Sequence, residues 1–411
     1  MDSDENKPRV LISAYACEPD RGSEPEVGWQ VALHMACVSD VSVITRSNNR
    51  EVIESALEAH DGPKPKFHYY DLPRPLLWLK KRLLGTSGYY VMWQAALRWR
   101  FRRELEKTDL VHHVTFNGLQ FPGFWLFAGK PVVLGPLGGG MTCPPQLMSL
   151  LGGAERGERH RSWVIDCLPF FPFWRRIIGE AATVIAANRE TASVIQPFRR
   201  EQVPVMLETA VLPEAIRTRD KDRRAGKKLR VVWLGNLIPR KAPILALAAA
   251  AEVLKNEDGF ELVIAGGGPE ESRLRREIER LGLEGQVTLA GKIPKSEVNT
   301  LMDSADAFLF TSVRDTSGNV VLEAMSRGLP VVALCHQGVR EICEPESALL
   351  VEPGNTEETV LGLAEAMIRL SREEGLAQRL GRAGQKHLAA NHTWNHYQDR
   401  MMEVYREAIE S

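Results

Sequence analysis

Short apolar runs alternate along this 411-residue chain with polar turns and helix-like segments. Apolar runs of four to eight residues are typical of buried parallel strands, and intervening helices complete strand–helix–strand units. One series of runs lies at 9–14, 41–45, 67–70, 109–116, 131–134 and 183–187. A second series lies at 229–235, 260–265, 287–291, 307–310 and 331–334. The pattern therefore predicts an α/β fold with two Rossmann-like sheets.

A polar stretch separates the two series. It runs from about 201 to 228 and contains the charged segment 217–228, which is typical of a linker between domains. The length of the chain also favours two domains. We predict an N-terminal domain over 1–206, a C-terminal domain over 207–391, and a last helix over 392–411.

Composition excludes several classes of protein. The net charge of −1 argues against a nucleic-acid binder. The six cysteines form no Cys-x-x-Cys pair, which favours a reducing cytosol over disulfides or a zinc site. The Asp-x-Asp matches at 2–4 and 220–222 do not end apolar strands, so we expect no metal site. The acidic start does not resemble a signal peptide, and no apolar run approaches the ~20 residues of a spanning helix. We therefore expect a cytoplasmic protein.

Residues 311–330 carry the clearest candidate site. The sequence predicts a strand end, a polar turn at 316–318, and a helix capped by Asn319 that continues through Arg327. A helix N-terminus presents unpaired N–H groups that suit a phosphate. Asp315 lies just outside this helix, and Glu323 lies about 6 Å along its axis. Two carboxylates beside an anion site predict a hydroxyl-rich ligand.

This stretch resembles the acidic signature of retaining GT-B glycosyltransferases, in particular glycosyltransferase family 4, also called glycosyl transferases group 1. That signature is Glu, seven residues, Glu and Ala; the spacing is kept here, with Asp315 in the first position. The resemblance implies that Glu323 binds the ribose of a nucleotide-sugar and Asp315 the hydroxyls of its sugar. The backbone of Gly318, Asn319 and Val320 would bind phosphate. The alternative is an ordinary capped helix with solvated acids.

The loop after residue 235 resembles the diphosphate site of the same family. Family members commonly carry an Arg there and a Lys five residues later; this chain has Asn236 and Lys241. We expect Arg240 to restore the missing charge, so that both cations stabilise the departing nucleoside diphosphate. By resemblance, the base lies near the backbone of Ile293. The alternative is a solvated basic turn.

In the N-terminal domain, the resemblance indicates two further contacts. Gly22, in the loop after the first strand, would approach the diphosphate or the acceptor; the alternative is a tight surface turn. Many family members carry a histidine after the fifth strand, where this chain has Leu137. We expect His112 or His113, with His113 favoured, to supply that contact; the alternative is a structural histidine.

Residues 74–103 contain eight basic residues and no acid, interleaved with Trp, Tyr and Leu. Residues 169–176 have a similar composition. Such segments suit a helix that lies on anionic lipid headgroups. The alternative is that the aromatic side chains line the core and the arginines are solvated.

Taken over the chain, the resemblance implies a GT-B fold in which the last helix returns to the first domain. It implies a retaining hexosyltransferase that uses a UDP- or GDP-sugar without metal or other cofactor. The acceptor would be a saccharide or polyprenyl-linked, in cell-surface polysaccharide or glycoconjugate synthesis, with the protein cytoplasmic or peripheral on the inner membrane face. Alternatives are a non-catalytic nucleotide-sugar-binding or membrane-associated scaffold, a sugar phosphorylase and a nucleotide-sugar epimerase.

Overall fold

The computed structural model describes residues 7–73, 85–116, 118–125, 128–217, 219 and 228–411. The chain divides into two compact units. Unit 1 comprises residues 1–140, 164–209 and 395–411, and unit 2 comprises residues 141–163 and 210–394.

The strands form two six-stranded sheets. In chain order they are β1 Arg9–Ala14, β2 Asp40–Thr45, β3 Lys66–Tyr69, β4 Leu110–Thr115, β5 Val132–Leu137, β6 Thr183–Ala186, β7 Leu229–Leu234, β8 Phe260–Ala265, β9 Val287–Gly291, β10 Ala307–Phe310, β11 Val331–Leu334 and β12 Ala348–Val351. The strand orders are β3-β2-β1-β4-β5-β6 and β12-β11-β10-β7-β8-β9. All ladders within both sheets are parallel. The predicted α/β fold with two Rossmann-like sheets is therefore confirmed.

Helices connect these strands. They are α1 Ser23–Ala36, α2 Arg50–Glu58, α3 Gly85–Arg100, α4 Arg102–Glu106, α5 Glu155–Cys167, α6 Pro172–Glu180, α7 Arg189–Ile195, α8 Pro243–Leu254, α9 Glu271–Leu281, α10 Lys295–Ser304, α11 Asn319–Ser326, α12 Gln337–Ile342, α13 Thr356–Arg372, α14 Leu376–Asn391 and α15 Trp394–Glu410. Short 3₁₀ helices include Pro145–Ala154, Leu168–Phe170 and Pro239–Lys241. Among the described residues, no helix is both long and apolar enough to span a membrane.

The segment 141–163 belongs to unit 2, although it precedes the predicted linker. Its side chains Cys143, Leu147 and Leu151 are buried in the same core cluster as Trp233 and Leu309. Apolar contacts of this kind decide which unit a segment joins. The predicted domain boundary at 206/207 assigns this segment to the N-terminal domain, because composition carries no signal for contacts between residues far apart in the sequence.

Helix α3 lies in the predicted basic and aromatic segment. Its Tyr89, Tyr90, Trp93 and Leu97 are buried in the core of unit 1, whereas Trp99 is 76% exposed. For these four side chains the core interpretation is confirmed. Residues 74–84 of the segment lie outside the described residues.

The last helix packs on unit 1 through its C-terminal residues. The Tyr405 hydroxyl and the His112 Nδ1 atom are 2.7 Å apart, and His112 Nε2 is 2.7 Å from the Gly135 carbonyl oxygen. Because a carbonyl only accepts, Nε2–H donates to Gly135 and Nδ1 accepts from Tyr405. A neutral imidazole therefore satisfies both contacts.

Buried histidines make unit 1 sensitive to acid. Burial lowers the pKa of His112 to about 4 and that of His113 to about 3. Below the unfolded-state pKa, the unfolded chain takes up protons that the folded chain does not. The free energy of unfolding should therefore fall as the pH drops below about 6.5, by about 1.4 kcal/mol per pH unit for each histidine.

Denaturant unfolding at about pH 7 and about pH 5 measures this loss. His112→Gln should flatten the pH dependence, while the control His160→Gln alters an exposed side chain and should leave it unchanged. Equal pH dependence in the wild type and His112→Gln would contradict the assignment.

Candidate functional site

The turn between β10 and α11 forms the centre of the candidate site. Gly318 is the N-cap of α11, with φ of 63°, and no side chain caps the helix. Glycine adopts this left-handed conformation without the strain that a Cβ atom causes. The predicted cap at Asn319 is therefore wrong by one residue, and Asn319 and Val320 are the first helical residues. Their backbone lies where a helix offers N–H groups to an anion.

Ser317, beside this cap, is buried. Its hydroxyl has no hydrogen-bond partner within the part of the chain that the structure describes. The backbone around it is held closely against Gly338, where a Cβ atom would lie 2.7 Å from Ser317 Cα and 2.3 Å from the Thr316 carbonyl oxygen. A buried hydroxyl without a partner costs free energy that a bound ligand would recover.

The Asp315 carboxylate accepts a hydrogen bond from Lys241 Nζ and lies 3.8 Å from Arg240 Nη1. We call Asp315, Lys241 and Arg240 the ion-pair cluster. The Asp315 amide donates to Gln337 Oε1 at 2.8 Å, and Gln337 Nε2 donates to the Thr142 carbonyl oxygen at 2.8 Å. Both the side chain and the backbone of Asp315 are thus held in place.

The two cations of the cluster come from the 3₁₀ turn after β7. Lys241 Nζ lies 5.1 Å from the centroid of the Phe310 ring, and burial lowers the pKa of this lysine while Asp315 opposes that shift. Arg240 Nη1 donates to the Arg314 carbonyl oxygen at 3.0 Å, and burial lowers the pKa of Arg240 too. The structure therefore brings together three residues that the sequence analysis assigned to one nucleotide-sugar site.

Three charged residues adjoining the cluster were not predicted. Arg314 Nε is 2.9 Å from Glu158 Oε1, and Arg161 Nη1 is 4.0 Å from the same oxygen. Glu158 is buried, and the Cys143 amide donates to it at 3.2 Å. Helix α5 supplies Glu158 and Arg161 from far away along the chain, so no local motif could reveal them.

Glu323 lies one turn into α11 and is exposed. Its backbone carbonyl accepts from the Ser326 hydroxyl at 2.8 Å, whereas its carboxylate makes no hydrogen bond or ion pair with the described residues. Although the residue is exposed to solvent, protein atoms around its carboxylate raise the pKa of Glu323 by desolvation, while Lys295 and Arg327 oppose this shift. A carboxylate without a protein partner remains available to hydroxyl groups.

Two other predicted positions follow strands of the same sheet. Asn236 is exposed after β7 and takes no part in the ion-pair cluster, and Ile293 is partly buried after β9. Both lie at the carboxyl edge of the sheet, where ligands of such folds bind. Their roles stay predictions.

Residues 215–387 match the family described as glycosyl transferases group 1. This match covers less than half of the chain. It contains the ion-pair cluster and both carboxylates of the predicted signature.

Curated relatives match part of the chain. It is 32% identical over 164 residues to the putative colanic acid biosynthesis glycosyltransferase WcaL of Escherichia coli K12, covering 38% of this chain and 40% of that protein. It is 31% identical over 260 residues to the D-inositol 3-phosphate glycosyltransferase of Acidothermus cellulolyticus, covering 57% of this chain and 56% of that protein. The matches thus span about half the length of these relatives or less.

Solved structures match nearly the whole chain. Anabaena HepE in complex with UDP and glucose has a TM-score of 0.61 at 16% identity, covering 97% of this chain and 99% of HepE. Sucrose-phosphate synthase from Thermosynechococcus elongatus has a TM-score of 0.63 at 18% identity, covering 98% of this chain and 99% of that one. The predicted GT-B fold is confirmed.

Outside the matched residues 215–387, the environment of His113 does not fit its predicted role. It is fully buried in unit 1, with Nε2 2.8 Å from the Tyr90 hydroxyl and Nδ1 3.3 Å from Gln94 Nε2. Both ring nitrogens therefore have partners inside the unit. This environment corresponds to the structural alternative, because neither nitrogen remains for a ligand.

Gly22, the other predicted contact in unit 1, is the N-cap of α1 with φ of 70°. A Cβ atom there would have no neighbour within 4 Å, so backbone conformation rather than packing favours glycine. Its predicted approach to a ligand stays a prediction.

A polar cluster in unit 1 was missed by the sequence reasoning. Arg46 Nε donates to Asp71 Oδ1 at 2.9 Å, and the guanidinium lies 5.3 Å from the ring centroids of both Tyr15 and Tyr89. Tyr15 and Arg46 directly follow β1 and β2, and Asp71 lies two residues after β3; these three strands are adjacent in the sheet. They lie at the edge where polar ligands of parallel sheets bind.

No group of His, Cys, Asp and Glu residues suited to a metal ion occurs among the described ranges. The expectation of a metal-free site stays a prediction.

The ion-pair cluster predicts an unusual effect of a substitution. Asp315 occupies both cations, so it competes with any phosphate for them. Asp315→Asn keeps the shape and the contact from the Thr316 amide but removes the competing charge. We expect pyrophosphate to bind roughly 3- to 30-fold more tightly to this variant, as measured by calorimetric titration.

A control for this test is Asp303→Asn, because Asp303 pairs with Arg327 outside the cluster. It should leave pyrophosphate affinity unchanged. Unchanged or weaker binding by Asp315→Asn would show that Asp315 does not compete with the anion.

Proposed function

We propose that this protein is a retaining glycosyltransferase that moves a hexose-type sugar from a UDP- or GDP-sugar to a saccharide or lipid-linked acceptor. The observation that carries the proposal is the ion-pair cluster before α11, within residues 215–387. Its cations suit a diphosphate, its Asp315 carboxylate suits the hydroxyls of a sugar, and the nearby Glu323 suits those of a ribose.

The proposed reaction needs no covalent intermediate on the protein. Asp315 is held by two cations, which makes it a poor nucleophile. The acceptor oxygen bonds to the anomeric carbon on the face from which the diphosphate oxygen departs. The acceptor proton passes to that departing phosphate oxygen, and configuration is retained. Lys241 and Arg240 stabilise the negative charge that develops on the diphosphate.

The named activities of relatives support the donor and acceptor classes. They include the amylovoran biosynthesis glycosyltransferase AmsK of Erwinia amylovora, 34% identical over 36% of this chain, and the WcaL protein. A GDP-mannose-dependent phosphatidylinositol monomannoside mannosyltransferase of Mycobacterium tuberculosis is 30% identical over 43% of this chain. We therefore propose a place in the synthesis of cell-surface polysaccharide or glycoconjugate.

Calorimetric titration with a panel of UDP- and GDP-sugars, with and without chelator, tests the proposal. We expect one donor to bind in both conditions, and slow hydrolysis to release an α-configured sugar from an α-linked donor, as seen by NMR. Release of the β-configured sugar would reject the retaining mechanism. Binding without any turnover of the donor would favour the non-catalytic scaffold.

Substitution of Glu323 tests the ribose contact. Glu323→Ala should weaken binding of that donor by about 1–3 kcal/mol, because hydrogen bonds to a charged group are lost. The control Glu284→Ala changes an exposed glutamate of the same unit and should have no effect. An unchanged dissociation constant for Glu323→Ala would contradict the ribose contact.

We further propose that the protein contacts an anionic membrane, where a lipid-linked acceptor would lie. The supporting surface is the phenylalanine loop, our name for Phe170, Phe171 and Phe173 at the junction of the 3₁₀ helix Leu168–Phe170 and α6, which are 80%, 58% and 52% exposed. The adjacent Trp174 is buried and its Nε1 donates to the Leu119 carbonyl oxygen at 2.7 Å, which anchors the loop. The exposed Arg175 follows it and suits acidic headgroups, whereas Arg176 Nε pairs with Glu180 Oε1 at 2.6 Å.

Sedimentation with vesicles tests this contact. The wild type should bind vesicles rich in anionic lipid and bind neutral vesicles weakly. Changing all three phenylalanines to serine should reduce binding more than about tenfold. The control Leu361→Ser alters an exposed apolar side chain of unit 2. Equal recovery of the wild type with and without anionic vesicles would refute the contact.

A further inference from the structure

We infer that Arg161, held beside Arg314 by the buried Glu158, extends the ion-pair cluster and binds the diphosphate of the donor. This inference rests on the proposed function. It assigns a binding role to helix α5, which lies outside the matched residues 215–387. Arg161 would be an anion-binding residue, and Glu158 a positioning residue that acts through the two arginines.

A continuous set of contacts joins Arg161 to the cluster. Glu158 Oε1 lies 4.0 Å from Arg161 Nη1 and 2.9 Å from Arg314 Nε. Arg314 directly precedes Asp315, and its carbonyl oxygen accepts from Arg240 Nη1 at 3.0 Å. The side chain of Arg161 is therefore separated from the predicted diphosphate cations by one carboxylate and one arginine.

The ion-pair cluster, together with Glu158, Arg161 and Arg314, forms a network with more positive than negative charge. This network contains the cations Arg161, Arg240, Lys241 and Arg314 and the carboxylates Glu158 and Asp315. All six side chains are partly or largely buried, with Glu158 only 6% exposed. Partly buried like charges repel each other unless counter-charges are present. The diphosphate of a nucleotide-sugar carries about two negative charges at neutral pH and would neutralise the surplus.

The pKa of Arg161 agrees with a surplus of positive charge. Burial, and after it the positive charge of Arg314, lowers the pKa of Arg161 to about 10, while Glu158 opposes the shift. Arg161 therefore remains protonated at neutral pH. A guanidinium binds phosphate through paired hydrogen bonds, which makes Arg a suitable residue for this position.

The segment 141–163 holds Arg161 rigidly. Arg161 Nη1 donates to the Met141 carbonyl oxygen at 2.6 Å, and the Cys143 amide donates to Glu158. Leu147 and Leu151 anchor the segment in the core of unit 2. A side chain positioned before the ligand arrives loses less entropy when it binds.

Calorimetry with inorganic pyrophosphate, a nucleoside diphosphate and the free nucleoside tests the inference. The nucleoside diphosphate is UDP or GDP, whichever the wild type binds. Arg161→Gln should weaken pyrophosphate and nucleoside diphosphate binding roughly 5- to 50-fold and leave nucleoside binding unchanged. Arg161→Lys should give an intermediate loss, because it keeps the charge but not the planar fork.

Arg159→Gln is the matched control. Arg159 lies on the same helix, is exposed and pairs with Glu155 at 2.7 Å. This variant should bind all three probes as the wild type does. It reports any general effect of removing a positive charge from α5.

The outcomes separate the two proposals. Wild-type affinity for pyrophosphate in Arg161→Gln would overturn the role of Arg161 and leave the proposed function standing. Equal losses for the nucleoside and for pyrophosphate would assign Arg161 a purely structural role and also overturn the inference. A wild type that binds neither pyrophosphate nor any nucleoside diphosphate would reject both proposals.

Discussion

The pairing of Asp315 with Lys241 and Arg240 is the interaction on which the candidate site depends. It exists because β7 and β10 are adjacent and parallel, with Ala307 opposite Val231. Their carboxyl ends therefore lie together, and so do the loops that follow them. Backbone contacts fix the loops further: the Val313 amide donates to the Arg240 carbonyl oxygen at 2.9 Å. The sheet thus brings together charges that are more than seventy positions apart in the sequence.

The predictable part of the site consists of features with a local signal. The strands have continuous apolar runs, the turn before α11 has glycine and serine, and the spacing of Asp315 and Glu323 matches a known signature. The cap was displaced by one residue because Asn319 and Gly318 both suit helix starts, and only the backbone conformation separates them. Glu158 and Arg161 were missed because ion pairs across long sequence separations leave no periodic pattern.

From sequence alone it was harder to assign large apolar residues to the core or the surface than to place the charged residues of the site. Core residues include Tyr89, Tyr90, Trp93 and Leu97, although arginines lie near them in the sequence. The phenylalanine loop has a similar composition yet is exposed. Composition cannot separate these cases, since both combine apolar and basic residues. The difference arises from tertiary packing, in which α3 covers the sheet while the phenylalanine loop projects beyond the buried Trp174.

The position of Asn236 shows how a site can keep its charge while its residues change. The family pattern implies an arginine there, and the structure has an exposed amide instead. Arg240 lies in the ion-pair cluster, and Arg314 and Arg161 adjoin it through Glu158. Electrostatic attraction for a diphosphate depends on the number and distance of the cations more than on which strand supplies them. Under the proposed function, the surplus of positive charge around Asp315 would compensate for the missing arginine.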